Sequence, residues 1–183
     1  LIVAVDLAAK YSAFCVLGSD NTVIDQDHSW QKSESEWVDR IVARFYESDP
    51  LPSVLAIEDL PHGVGYKKIV KEVCRIQGRI YQSMLNAGEE DKVVFIPPQV
   101  WQIHNKTYRK GIVGEAEVAA SLGYVPPSLL NKDIHGKDRI AARKTETDYV
   151  AAYLIGRYVN DKLSEHSLTD WLENEKRVQR YGE

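Results

Sequence analysis

Two carboxylates stand at matching places in this sequence. Asp6 closes the apolar run Ile2-Val3-Ala4-Val5, and Glu58 closes Val54-Leu55-Ala56-Ile57. Each run reads as a short buried strand, so each acid sits where a strand leaves its sheet, the edge at which open α/β sheets place their chemistry. If the two strands are parallel neighbours, about 4.8 Å apart, both acids share one edge and reach the same ions. Asp148 is a third candidate. Its helix carries Ala151, Ala152 and Ile155 at i+3, i+4 and i+7, a packing face in which an acid is unusual. One acid at an element end is ordinarily just hydrated, but three in this arrangement point to a site. Within "SVLAIEDLPHG", strand alternation separates the paired acids: Glu58 is expected to face the site, and Asp59 to face away or cap the loop.

The elements that must position these acids follow from periodicity. "LIVAVD" and "YSAFCVLGSDNTVIDQDHSW" predict a three-strand antiparallel meander, turning at Gly18-Ser19-Asp20-Asn21. A helix starts at Ser33, where Ser-x-x-Glu forms a capping signature, and ends before Pro50. The strand Val54–Glu58 follows, then a long helix from Tyr66 to Asn86 stopped at Gly88. "DKVVFIPP" predicts another strand, "PQVWQIHN" a helical turn, "VGEAEVAASLGY" a short helix and "PPSLLNKDIHGKD" a loop. "RIAARKTETDYVAAYLIGRYVNDKL" is the second long helix, and Leu168, Trp171, Leu172 and Val178 mark a last one. The fold class is therefore α/β, with antiparallel strands first and parallel crossovers after. Residues 1–163 form one domain and residues 164–183 a polar helical extension.

Composition bounds the function. A hydrophobic fraction of 44% and a charged fraction of 27% belong to an ordinary globular protein. Cys15 and Cys74 lie far apart with no Cys-x-x-Cys, so neither a disulfide framework nor a zinc site is signalled, and a reducing cytoplasm fits. A buried, inert thiol is expected for Cys74. The apolar start is cut by Asp6, and neither a membrane span nor a signal peptide is expected. The net charge is −4, yet residues 62–144 carry 14 Lys and Arg against 8 Asp and Glu, so the middle is +6 and the flanks together −10. Such segregation can build a positive surface on an acidic protein.

Four segments in this order, "VAVDLA", "LAIEDLP" followed by a basic helix, "VFIPPQVWQ" and "KTETDYVAAYLIGRY", resemble those of the RuvC-like Holliday junction resolvases of the RNase H-like superfamily. The similarity spans roughly residues 1–160. It implies an RNase H-like fold: a mixed central sheet, three antiparallel strands then parallel strands, flanked by helices. It also implies two Mg²⁺ ions, for which Mn²⁺ would substitute, held by Asp6, Glu58 and Asp148, with Asp6 bridging both. Three carboxylates and one scissile phosphate together balance the charge of two such ions, and oxygen-only ligands favour Mg²⁺ or Mn²⁺ over zinc.

Two positions depart from the family pattern. Leu7-Ala8 stands where Pro-Gly is common, and Thr145 where a fourth acid or a histidine is common. For that fourth place the candidates are Thr145 through a metal-bound water, Glu146 if the helix is irregular, and Asp138 or His135 from the preceding loop. The divergent opening and the acidic tail point to a phage or other divergent member, cytoplasmic, in the host's cytoplasm if phage-encoded.

The resemblance implies a homodimer on branched DNA, a four-way junction, with the long helix after Glu58 in the interface. Lys67, Lys71, Arg75 and Arg79 form an i, i+4 row on that helix with Lys68 beside them, a stripe suited to phosphate. Lys106, Arg109 and Lys110, interleaved with His104 and Tyr108, make a second patch; Lys132, Lys137, Arg139, Arg143 and Lys144 make a third. Tyr66 is the candidate wedge against a base at the branch point. Competing expectations are a nuclease for flaps, forks or RNA–DNA hybrids, and a nucleic-acid-binding protein without catalysis. A phosphotransferase would want a glycine-rich loop after the first strand, and "DLAAKYS" has none.

Overall fold

The computed structural model describes residues 1–8, 10–60, 67–129, 133–175 and 179–180. Strands β1 (Ile2–Asp6), β2 (Ala13–Leu17) and β3 (Val23–His28) form the expected antiparallel meander. Helix α1 (Glu34–Glu47) then carries the chain back to β4 (Val54–Glu58), which pairs in parallel with β1. Helix α2 (Lys67–Asn86) returns it to β5 (Val93–Ile96), parallel to β4. Helices α3 (Pro98–His104), α4 (Gly111–Ser121), α5 (Gly136–Glu165) and α6 (Leu168–Asn174) follow, and β6 (Gln179–Arg180) closes the sheet in the order β3-β2-β1-β4-β5-β6.

The central strands are covered on both faces, which is why their sequences read as unbroken apolar runs. Alternate residues go to opposite layers. Ile2, Ala4, Cys15, Leu17, Val54 and Ala56 pack under α5. Val3, Val5, Phe14, Leu55 and Ile57 pack under Trp37, Ile41 and Phe45 of α1 and Val73, Ile80 and Met84 of α2. Ser33 caps α1, its hydroxyl accepting from the Glu36 amide while the Glu36 carboxylate accepts from the Ser33 amide. Gly88, at φ +73°, lets the chain leave α2 in the left-handed turn that L side chains avoid.

Four details differ from the sequence expectation. The segment "PQVWQIHN" is a true two-turn helix, with Pro98 supplying the fixed φ that suits its first turn. Helix α5 begins at Gly136, inside the stretch read as loop, and runs 30 residues. Beyond it, among the described residues, only Leu168–Asn174 is helical, and Val178 lies outside them; Trp171 is buried against Tyr158, and Gln179–Arg180 pair with β5 as a strand that its polar composition conceals. Cys74 is exposed rather than buried, because the apolar stripe of α2 runs through Val73, Ile76 and Ile80 and the next residue turns about 100° away.

One close approach sets the height of α5 over the sheet. A Cβ on Gly156 would lie 2.0 Å from Leu17 Cδ1 and 3.1 Å from Ala4 Cβ. Leu17 is fully buried, so its side chain has no empty space to enter. Gly156→Val is expected to destabilise the protein by about 1–3 kcal/mol through overpacking. A urea midpoint equal to that of the wild type would contradict this packing.

Candidate metal centre

The parallel register of β1 on β4 pairs Val5 with Ile57, so Asp6 and Glu58 are the next residues at the same sheet edge. Alternation puts Asp6 on the side of Ile2 and Ala4, and Glu58 on the side of Val54 and Ala56; both therefore face α5. The two carboxyls act on each other directly: the charge of Glu58 raises the Asp6 carboxyl, while Asp6 opposes the rise of Glu58. Trp101 of α3 donates its indole N–H to Glu58 Oε1 at 3.1 Å, and Gln77 of α2 reaches the Glu58 carbonyl at 3.4 Å.

Asp148 enters from α5 on the stripe of Thr145, Ala152 and Ile155, all fully buried. Its Oδ2 is buried without a hydrogen-bond partner among the described residues. Burial raises the Asp6 carboxyl well above its usual range, and the charge of Glu58 adds to this. Burial likewise raises Glu58, against the hydrogen bonds from Asp6 and Trp101. It pushes Asp148 up to about 8, helped by the charge of Asp6 and opposed by the ammonium of Lys144.

A fourth acid, Glu115 of α4, is 9% exposed and accepts from Gln102 Nε2 at 3.0 Å. Its charge disfavours ionisation of both Asp6 and Glu58. Sequence patterning alone does not single it out. The one available signal was Ala119, buried four residues later on the same face.

The other expected residues fall as follows. Thr145 gives its hydroxyl to the Ala141 carbonyl at 3.0 Å, and Glu146 Oε1 accepts from the Leu129 amide at 2.7 Å. His135 and Asp138 are exposed. Asp59 caps the Leu60 amide at 2.7 Å. Among the cations, Lys68, Lys71, Lys106, Arg109, Lys110 and Lys144 are exposed. Arg75 and Arg79 are committed elsewhere: both pair with Glu34, Arg79 at 3.1 Å, and fasten α2 to the start of α1. Tyr66, Lys132 and the Lys67 side chain lie outside the described residues. Lys144 Nζ and Lys10 Nζ stand 5.8 and 5.1 Å from the centroid of the Tyr11 ring, a cationic rim one helical turn from Asp148. Lys106 and Arg109 hold left-handed backbone at φ 60° and 66°, with Arg109 over the Tyr108 ring at 5.3 Å. A cleft of about 460 Å³ at the opposite end of the strands, between Asp20, Gln26, Tyr124 and Tyr153, contains no such cluster.

Among the described residues, no group of three His, Cys, Asp or Glu side chains is set to enclose a metal ion. Mg²⁺ rarely needs such an enclosure; it keeps several waters and binds through one or two carboxylates plus substrate phosphate. The residues present fit that role, since Asp6, Glu58 and Asp148 are oxygen donors held in mutual repulsion and Asp148 Oδ2 is an orphaned buried acceptor.

A mixed sheet of three antiparallel strands followed by parallel strands, with helices on both faces, is the RNase H-like fold. The chain is similar in structure to the RuvC of T. thermophilus solved in complex with Holliday junction substrate, with a TM-score of 0.55 and 17% sequence identity over 86% of this chain and 93% of that one. No family model and no curated protein sequence matches the chain.

The raised carboxyls fix the sign of a pH effect. Each is neutral in the fold at a pH where the unfolded chain already ionises it, so their contribution to stability is full below about pH 4 and is lost as pH rises toward 8. In EDTA the melting temperature is expected to be lower at pH 8.5 than at pH 6, and Asp6→Asn is expected to flatten the difference. A melting temperature that rises over that interval would contradict the burial of these acids.

Proposed function

We propose that this chain is a divalent-metal-dependent endonuclease that cleaves branched DNA, a Holliday junction resolvase acting in recombination and repair. The observation that carries the reading is the convergence of Asp6, Glu58 and Asp148 at one sheet edge of an RNase H-like fold. The likeness to a RuvC bound to junction DNA supports the substrate class. When bound there, two Mg²⁺ or Mn²⁺ ions would supply Lewis acidity and an activated water for in-line phosphodiester hydrolysis.

The chain's own residues do the rest. Asp6 and Glu58 would hold the cations, Trp101 fixes the rotamer of Glu58, and Lys144 balances Asp148 at the rim. Lys68 and Lys71 on α2, with Lys106, Arg109 and Lys110 on the loop before α4, would take the phosphates flanking the cut. Tyr66 is the proposed wedge at the branch point. Residues 1–163 form the nuclease domain, and residues 164–183 are an extension whose Trp171 packs on Tyr158. Paired symmetric nicks require two such sites, so the active species is a homodimer. Its interface would centre on α2, where Ile69 is 45% exposed and Cys74 lies on the surface.

Asp6→Asn is expected to abolish cleavage of a synthetic four-way junction in Mg²⁺ while leaving junction binding in Ca²⁺ intact; unchanged cutting would sink the proposal. Flap, fork and RNA–DNA hybrid substrates given to the same preparation separate the neighbouring activities, because paired symmetric nicks come only from a resolvase. Exchanging Lys106, Arg109 or Lys110 singly for Gln is expected to weaken junction binding and to reduce the slope of log K against log salt by about 1 for each phosphate left without its cation. A salt dependence that none of the three changes would remove that loop from the DNA interface.

A further inference from the structure

Two consecutive residues of α3 each hold an acid. Trp101 donates to Glu58 Oε1 at 3.1 Å, and Gln102 donates to Glu115 Oε1 at 3.0 Å. Helix α3 therefore links the strand-end acid Glu58 to Glu115 of α4 through two neighbouring side chains. Glu115 is nine-tenths buried, and among the described residues no cation pairs with it and no second donor meets its Oε2. Carboxylates are seldom buried so deeply without a cation beside them. Its neighbour Glu117, two residues on, is exposed and solvated. Helix α5 meanwhile offers no acid one turn before Asp148: that place is Thr145, fully buried with its hydroxyl bonded to Ala141, and Glu146 is held by the Leu129 amide.

We propose that Glu115, positioned from α4 by Gln102, is the fourth carboxylate of the divalent-cation site, supplying from a different helix the ligand that α5 lacks at Thr145. Gln102 holds Oε1, which leaves Oε2 for a cation or for one of its water ligands. The added negative charge has a counterpart in Lys144, whose ammonium favours the ionised form of Asp148. The inference rests on the reading of Asp6, Glu58 and Asp148 as a metal site, and its test separates the two.

Mn²⁺ binding is measured by electron paramagnetic resonance on DNA-free wild type, Asp6→Asn, Glu115→Gln and Glu117→Gln. Glu115→Gln is expected to bind Mn²⁺ about tenfold or more weakly, as loss of a site-shaping group does elsewhere. Glu117→Gln is expected to match the wild type, and junction cleavage by Glu115→Gln to fall in parallel while binding in Ca²⁺ persists. Wild-type Mn²⁺ affinity in Glu115→Gln beside a loss in Asp6→Asn would overturn the role of Glu115 alone. Wild-type affinity in both would remove the metal site and this inference with it. Thermal melting in EDTA guards against a folding artefact: Glu115→Gln removes a repelling charge and is expected to melt no lower than the wild type. A variant that fails to fold would make Glu115 structural and overturn the proposal.

Discussion

Carboxylates brought together out of water repel one another, and only a proton or a cation relieves the repulsion. In this protein the constraint is built into the backbone. Parallel pairing of β1 with β4 places Asp6 beside Glu58 whatever their side chains prefer, and α5 lowers Asp148 onto them. Burial holds both carboxyls of the pair above their usual range, and Asp148 keeps a buried oxygen without a hydrogen-bond partner among the described residues. Burial disfavours the charged form of each, so a neutral isostere would suit the cation-free fold better above neutral pH.

The surrounding elements are arranged to sustain that strain. Gly156 lets α5 lie against Leu17 and Ala4, which fixes the height of Asp148 two turns away. Trp101, itself buried, orients Glu58, and the adjacent Gln102 orients Glu115, so α3 serves as a bracket between the sheet and α4. The loop after α3 is tied back by the amides of Thr107 and Tyr108, which both donate to the Gln102 carbonyl. That loop presents Lys106, Arg109 and Lys110 outward from a backbone anchored beside the acids. The strand-end acids and the cationic loop thus share one short helix as their support.

Much of this was legible in the sequence because it depends on local rules. Strand ends at Asp6 and Glu58, the Ser33 capping box, the Gly88 stop and the small-residue face around Asp148 all follow from period, cap and turn chemistry. Glu115 was not legible, since α4 reverses the hydropathy rule: Ile112 and Val113 are 59% and 70% exposed while Glu115 is buried. Its burial comes from Gln102 across a helix junction, a tertiary interaction with no local signature. Arg75 and Arg79 looked like part of a free basic stripe, and Glu34 on a neighbouring helix takes both. Pairing between elements, whether of charges or of the two polar residues in β6, is what one-dimensional patterns leave out.

The central claim is that these buried acids exist to hold cations, and anomalous scattering from Mn²⁺-soaked crystals tests it most directly. The account predicts two peaks roughly 3.5–4 Å apart, between Asp6, Glu58 and Asp148. Saturating Mn²⁺ that leaves no peak among these carboxylates would contradict it.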